Sequence, residues 1–202
     1  MEIVDTAGPK ATPEGRARNA EIYQTAAELM VEKGFGGTSI GDIAQAVGMT
    51  KAGLYHHITS KQDMLYKIMT YGMDEVEAVV VEPTRDIDDP EERLRKIIRL
   101  HVRGLITHGP AISVLMWEVN HLEATERTKI NNRKKAYHKY LQSGLEELDA
   151  EGRLQKQDTG ITTQHIMSTL RGIARWYSSG FPINVDEVAE ETVNFVFRAI
   201  LK

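Results

Sequence analysis

The chain of 202 residues reads as an all-α protein of about nine helices. Three observations point there. Apolar residues recur at i, i+3, i+4 and i+7 along nearly the whole length, the spacing of one helical face. Helix-start residues (Ser, Thr or Asp) precede these runs, and glycines follow several of them. No strand candidate exceeds the four-residue "VVVE" at 79–82, which sits at a helix end.

The first helix is predicted from "TPEGRARNAEIYQTAAELMVEKG", with Thr12 as N-cap and Pro13 at the first helical position. Ile22, Ala26, Leu29 and Met30 share one face of it, and Gly34 ends it. "SIGDIAQAVG" follows, with Ser39 and Asp42 at capping-box spacing and Gly48 as the stop. Thr50 caps a short third helix, "KAGLYHHI". Ser60 with Asp63 starts a fourth, which carries Leu65, Ile68, Met69, Gly72 and Val76 on one face and runs to about Val81. Asp89-Pro90 with Glu91 and Glu92 opens a fifth over 90–107, since acids favour the positive end of a helix. His108-Gly109-Pro110 interrupts, and "AISVLMWEV" forms a short buried sixth. A long charged helix spans about 125–151, with Ile130, Tyr137, Leu141, Leu145 and Leu148 inward and Gly152 closing it. The last two cover about 161–178 and 185–201, on either side of "SGFPIN".

Composition narrows the function classes. Forty-one per cent hydrophobic residues suffices for a real core, and no run of eighteen apolar residues exists to span a membrane. The N-terminus lacks a basic start followed by an apolar stretch, so a secretory signal is not expected and the location is read as cytoplasmic. Without cysteine there is no disulfide, thiolate metal site or cysteine nucleophile. A net charge of -4 weighs mildly against nucleic acid. From Ile43 to Gln62, however, the charged residues are Lys51 and Lys61 alone, with titratable His56 and His57. A local cationic face is therefore open to an otherwise acidic chain.

Two short helices joined by Gly48-Met49-Thr50 make a helix-turn-helix, with a left-handed backbone expected at Gly48. Ala44 and Ala46 are small enough for the helices to cross closely. In such a motif the second helix enters the DNA major groove with its N-terminal residues toward the base edges. Here these are Thr50, Lys51, Ala52 and Gly53; Lys51 can reach a guanine edge or a phosphate. Tyr55, His56 and Lys61 can donate to phosphates, and Thr38 and Ser39 add hydroxyls at the start of the preceding helix. Taken singly, Tyr55 also fits a core-edge aromatic, and His56 with His57 a buried pair. A shared metal is disfavoured, because neighbours on a helix point about 100° apart.

"GTSIGDIAQAVGMTKAGLYHHITSKQDML" resembles the DNA-binding segment of the TetR family of bacterial transcriptional regulators. The likeness rests on Thr38-Ser39, Ile43-Ala44, Val47-Gly48-Met49-Thr50-Lys51, Leu54-Tyr55-His56-His57 and Lys61, and covers about residues 18–68. Ile58 stands where Phe is usual and Val47 where Ala is usual, both still apolar. The resemblance implies a DNA-binding domain over 12–60, with its recognition helix at about 50–58, and a ligand-binding and dimerisation domain over 61–202. It implies a homodimeric repressor that leaves a palindromic double-stranded operator when a small-molecule inducer binds, with no membrane partner. The last two helices would pair with those of a second subunit through Ile166, Leu170, Ile173, Ala174 and Tyr177 and through Val188, Val193, Val196 and Ile200.

"MWEVNHL" and "ARWYSSG" resemble the branch of that family that senses acyl-CoA thioesters. On this reading Trp117, His121, Tyr137, Trp176 and Tyr177 line an apolar pocket, and Arg133, Arg171 or Arg175 hold phosphates. The open alternative is another apolar or aromatic small molecule. Taken alone, each of these residues is better accounted for by packing or a surface ion pair. An enzyme is not expected. Glu118 and His121 form one Glu-x-x-His, but di-iron bundles need two such motifs and no other histidine has a glutamate three residues before it. No catalytic or metal-binding residue is nominated, and no cofactor beyond the effector.

Overall fold

The computed structural model describes residues 13–107, 109–177 and 183–202. The expected cap at Thr12, the break at His108 and most of "SGFPIN" lie outside them. Nine α-helices appear among the described residues: α1 (Pro13–Gly37), α2 (Ile40–Ala46), α3 (Lys51–Leu54), α4 (Lys61–Val76), α5 (Pro90–Thr107), α6 (Gly109–Trp117), α7 (Ala124–Ala150), α8 (Thr159–Tyr177) and α9 (Val185–Ile200). The all-α expectation holds. One isolated bridge pairs Leu154 with Leu201.

Local chemistry sets the boundaries. Gly34 breaks the end of α1 with φ 73°, and Gly152 turns the chain out of α7 with φ 72°. Ser39, Thr50, Ser60 and Asn184 each cap a helix by accepting from a backbone N–H inside its first turn. Asp89 does the same for α5, accepting from Glu92 N at 2.7 Å. "VVVE" is no strand: α4 continues as a π-helical turn over Glu77–Val81 and a 3-10 turn over Glu82–Thr84. The buried Thr84 hydroxyl donates toward Val80 O at 2.6 Å and meets Tyr140 Oη at 2.9 Å, which fastens this segment to α7.

Two apolar cores result. The first joins α1–α3 with Met64–Met73 of α4, Ala111, Val114 and Leu115 of α6, and Ile130 of α7. The second joins α5, α7, α8 and α9 with Ile112 of α6 and with Val76, Val80 and Val81. α4, α6 and α7 thus enter both cores, α6 mainly through its contacts with the N-terminal helices. Residues nominated for a contact between subunits prove internal: Ile166, Leu170, Ile173, Val188, Val193, Val196 and Ile200 are buried in the second core, with Ala174 and Tyr177 packed against it. An apolar stripe must cover its own subunit first. Among the described residues of α8 and α9, the large apolar side chains left facing outward are Ile161 and Phe195, 59% and 65% exposed, and Trp176.

Candidate nucleic-acid interface and effector site

Gly48 makes the turn. Its φ of 67° is the left-handed conformation that the sequence predicts. Met49 N then donates to Ala44 O at 2.8 Å, closing α2 against the turn. Ala44 is buried at the crossing, whereas Ala46 is exposed and makes no room there. α3 is shorter than the expected 50–58; beyond Leu54 the chain continues as hydrogen-bonded turns to Ile58. Ile58 is buried, so its exchange for the usual Phe preserves an apolar contact.

Around this turn Ser39, Thr50, Lys51, Ala52, Tyr55 and His56 are exposed. Ser39 and Asp42 form the full capping box, at 3.1 and 2.9 Å. Hydrogen bonds from Ser39 hold the Asp42 carboxyl below its ordinary range. The Ser39 and Thr50 oxygens accept from Asp42 N and Gly53 N, so each hydroxyl keeps its own proton for an outside acceptor. Tyr55 is 52% exposed, which removes the core-edge reading. Lys51 lies across Gly41, where a Cβ would come within 2.8 Å of its Cε; Gly41 leaves that path clear, a role the sequence did not reveal.

Of the other nominated contacts one turns inward and two are half-buried. Thr38 is a correction: it is buried, and its hydroxyl faces Leu29 O (3.2 Å) and Gly34 O (3.0 Å), closing the broken end of α1. Gly53 is half-buried and gives its N–H to the Thr50 cap. Lys61 is half-buried, donates to Gly36 O at 3.3 Å and sits 4.4 Å over the Phe35 ring. His57 is not paired with His56. Its Nδ1 meets Asn19 Oδ1 at 2.8 Å while Lys67 holds its carbonyl, pinning α3 to α1 and α4.

The nominated effector residues fall in separate places, which corrects the single pocket. Trp117, 56% exposed, and Arg175 share a cleft of about 320 Å³ with Met30, Val31, Ser113, Val114 and Ala174, where α1, α6 and α8 meet. Arg133 and Tyr137 border a second cleft of about 310 Å³ with Met73, Val76, Val81 and Tyr140. Arg133 also pairs with Asp74 at 2.7 Å. Trp176 instead faces the outer groove of α8 and α9 beside Phe195 and Val188. Tyr177 donates to Ile183 O at 3.1 Å. His121 is exposed, bonded to Glu118 at 2.9 Å and tilted on Phe35. Among the described residues no group of three His, Asp or Glu is placed to hold a metal.

Tyr137 also meets a partner missed in the sequence. Its hydroxyl and His101 Nδ1 share a buried 2.6 Å hydrogen bond. Burial, with His138 nearby, pushes the His101 imidazole down to about 4, and burial, with Tyr140 nearby, pushes the Tyr137 phenol well up. Beside His101 the free space amounts to about 10 Å³, bordered by Val76, Val80 and Ile112.

The comparisons agree with this geometry. Residues 22–68 match the family model of bacterial regulatory proteins, tetR family, and 87–200 match that of the tetracyclin repressor-like C-terminal domain. The transcriptional repressor KstR2 of Rhodococcus jostii is 26% identical over 185 residues, 91% of each chain. The TetR-family regulator PfmR of Thermus thermophilus superposes with a TM-score of 0.81 at 28% identity, covering 90% of this chain and 99% of its own. AibR, solved in complex with isovaleryl coenzyme A and operator DNA, gives 0.82 at 33% identity with the same coverage. No helix among the described residues is long and apolar enough to cross a membrane. The chain belongs to the TetR family of bacterial transcriptional regulators.

Proposed function

We propose that this regulator acts as a homodimeric repressor that binds a palindromic operator and is released by an acyl-CoA thioester. The observation that carries this reading is the likeness to AibR, whose complex holds both isovaleryl coenzyme A and operator DNA. The exposed Ser39, Thr50, Lys51, Tyr55 and His56 supply donors for phosphates and base edges. Two such faces must sit about 34 Å apart, or a multiple of it, to meet successive turns of DNA. Ile161, Trp176 and Phe195, an apolar outer face on α8 and α9, support pairing of two subunits there. α4 is rooted in both cores, so a ligand that reshapes the second core shifts the first.

A different apolar or aromatic effector is the second reading, favoured by the cleft at Tyr137 and Tyr140, which takes a ring without needing phosphate contacts. Thermal unfolding of the purified protein against CoA thioesters, free acids and CoA alone separates the two. A ligand specific to the fold adds about 2.7 kcal/mol at a hundred times its dissociation constant. Stabilisation by one class of thioester and not by its free acid supports the first reading. Stabilisation by aromatic or apolar compounds alone supports the second.

A further inference from the structure

We propose that Lys134 and His138 of α7, with Arg171 of α8, form an anion site that takes a phosphate group of the small-molecule effector. This deepens the acyl-CoA reading and rests on it for the identity of the ligand. Between Glu126 and Glu146 the chain carries Arg127, Lys129, Arg133, Lys134, Lys135, Lys139 and His138 and no acid. Within that run Arg133 is neutralised by Asp74, whereas Lys134 is not paired with an acid. Lys134 and His138 are four residues apart, hence on one face of α7, and all three members of the cluster are half-buried.

Their hydrogen bonds go to neutral groups. Lys134 Nζ is 3.5 Å from Leu115 O; Arg171 reaches Met167 O at 3.2 Å and Ser168 Oγ at 3.4 Å. Among the described residues no carboxylate is bonded to any of the three. They act on one another instead. Burial and then Arg171 hold the Lys134 ammonium below its ordinary range, and burial, Arg171 and Lys134 do the same to the His138 imidazole. Lys134 and Arg171 are like charges in a half-buried setting, which is unfavourable, so the pair awaits a counter-charge, with His138 beside it able to add a ring N–H donor. A phosphate suits it: the arginine fork takes two oxygens, and lysine adds a point charge.

The position fits an extended ligand. One turn of α8 separates Arg171 from Ala174 and Arg175, and Leu115 adjoins Val114; these neighbours line the cleft of Trp117. Half-burial of all three side chains favours a small phosphate over a DNA backbone.

Calorimetric titration of the full chain with isovaleryl-CoA, isovaleryl-pantetheine, 3′,5′-adenosine bisphosphate and inorganic phosphate tests this, using Arg171→Gln and Lys134→Met. Each variant is expected to lose on the order of tenfold to a hundredfold in affinity for the phosphorylated probes, the effect of one charge-assisted hydrogen bond. Affinity for the pantetheine thioester is expected to be unchanged. Both unliganded variants are expected to unfold at a higher temperature, because a repulsion has been removed. A lower midpoint or failure to fold overturns the site, since the cations would then serve the fold. If the wild type binds isovaleryl-CoA and the variants bind it equally well, the site is wrong and the coenzyme reading stands. If inorganic phosphate or the bisphosphate binds in a variant-sensitive way while no thioester binds, the site stands and the coenzyme reading falls. If no phosphorylated probe binds the wild type, both fall.

Discussion

At the residue scale, Lys51 is the side chain that the proposed function assigns to reading sequence. It is exposed, lies across Gly41 and follows the Thr50 cap. Lys51→Ala is expected to relax base preference at one position in each half-site, costing about 1–3 kcal/mol there. Selection of binding sites from random DNA checks it; a uniform loss across all sequences would make Lys51 a phosphate contact. His101 yields a prediction of another kind. Its imidazole titrates near 4 in the fold against an ordinary value of 6.5. The unfolded chain therefore takes up a proton that the fold refuses, and stability present above about pH 6.5 is lost as pH falls toward 4. His101→Gln can still hydrogen-bond the Tyr137 hydroxyl, and denaturant melts should show a shallower loss over that window than in the parent. Cap residues such as Ser39 and Thr50 were legible in the sequence because their chemistry spans three residues. The inward turn of Thr38 was not: it follows from the backbone break at Gly34, four residues upstream.

Among the elements, the helices follow from periodicity and caps, and both ends of α5 and the turn at Gly48 fall where the sequence places them. Gly48→Ala forces a Cβ into φ 67° and is expected to cost roughly 1–2 kcal/mol. The check is a lower urea midpoint at unchanged slope, with weaker DNA binding as the turn opens. A midpoint equal to the parent's would mean that the turn tolerates a side chain. The π-helical turn at Glu77–Val81 could not be foreseen, since three consecutive valines also suit a strand and only packing on α5 and α7 decides. The placement of the tryptophans was equally hidden. Trp117 and Trp176 both lie near helix ends, but α6 faces α1 while Trp176 faces outward with α9.

Across the whole molecule, α4, α6 and α7 tie the two cores together, and under the proposed pairing a second copy covers the outer apolar face of α8 and α9. Phe195→Glu places a charge in that face. Light scattering should then report a monomer, and operator affinity should fall on the order of a hundredfold or more, because two half-sites no longer bind together. A dimer of unchanged mass would move the interface elsewhere. Sequence periodicity identified α8 and α9 as amphipathic but nominated for the partner a stripe that proves internal, since a stripe that covers its own subunit is apolar too. Release by an effector requires coupling between the effector site and the DNA face. The decisive measurement is the affinity of the dimer for a selected palindromic operator, without and with isovaleryl-CoA at a concentration shown to saturate it. A fall of about 5- to 150-fold is expected, the usual range of allosteric coupling. An affinity unchanged by saturating thioester would contradict release by that ligand.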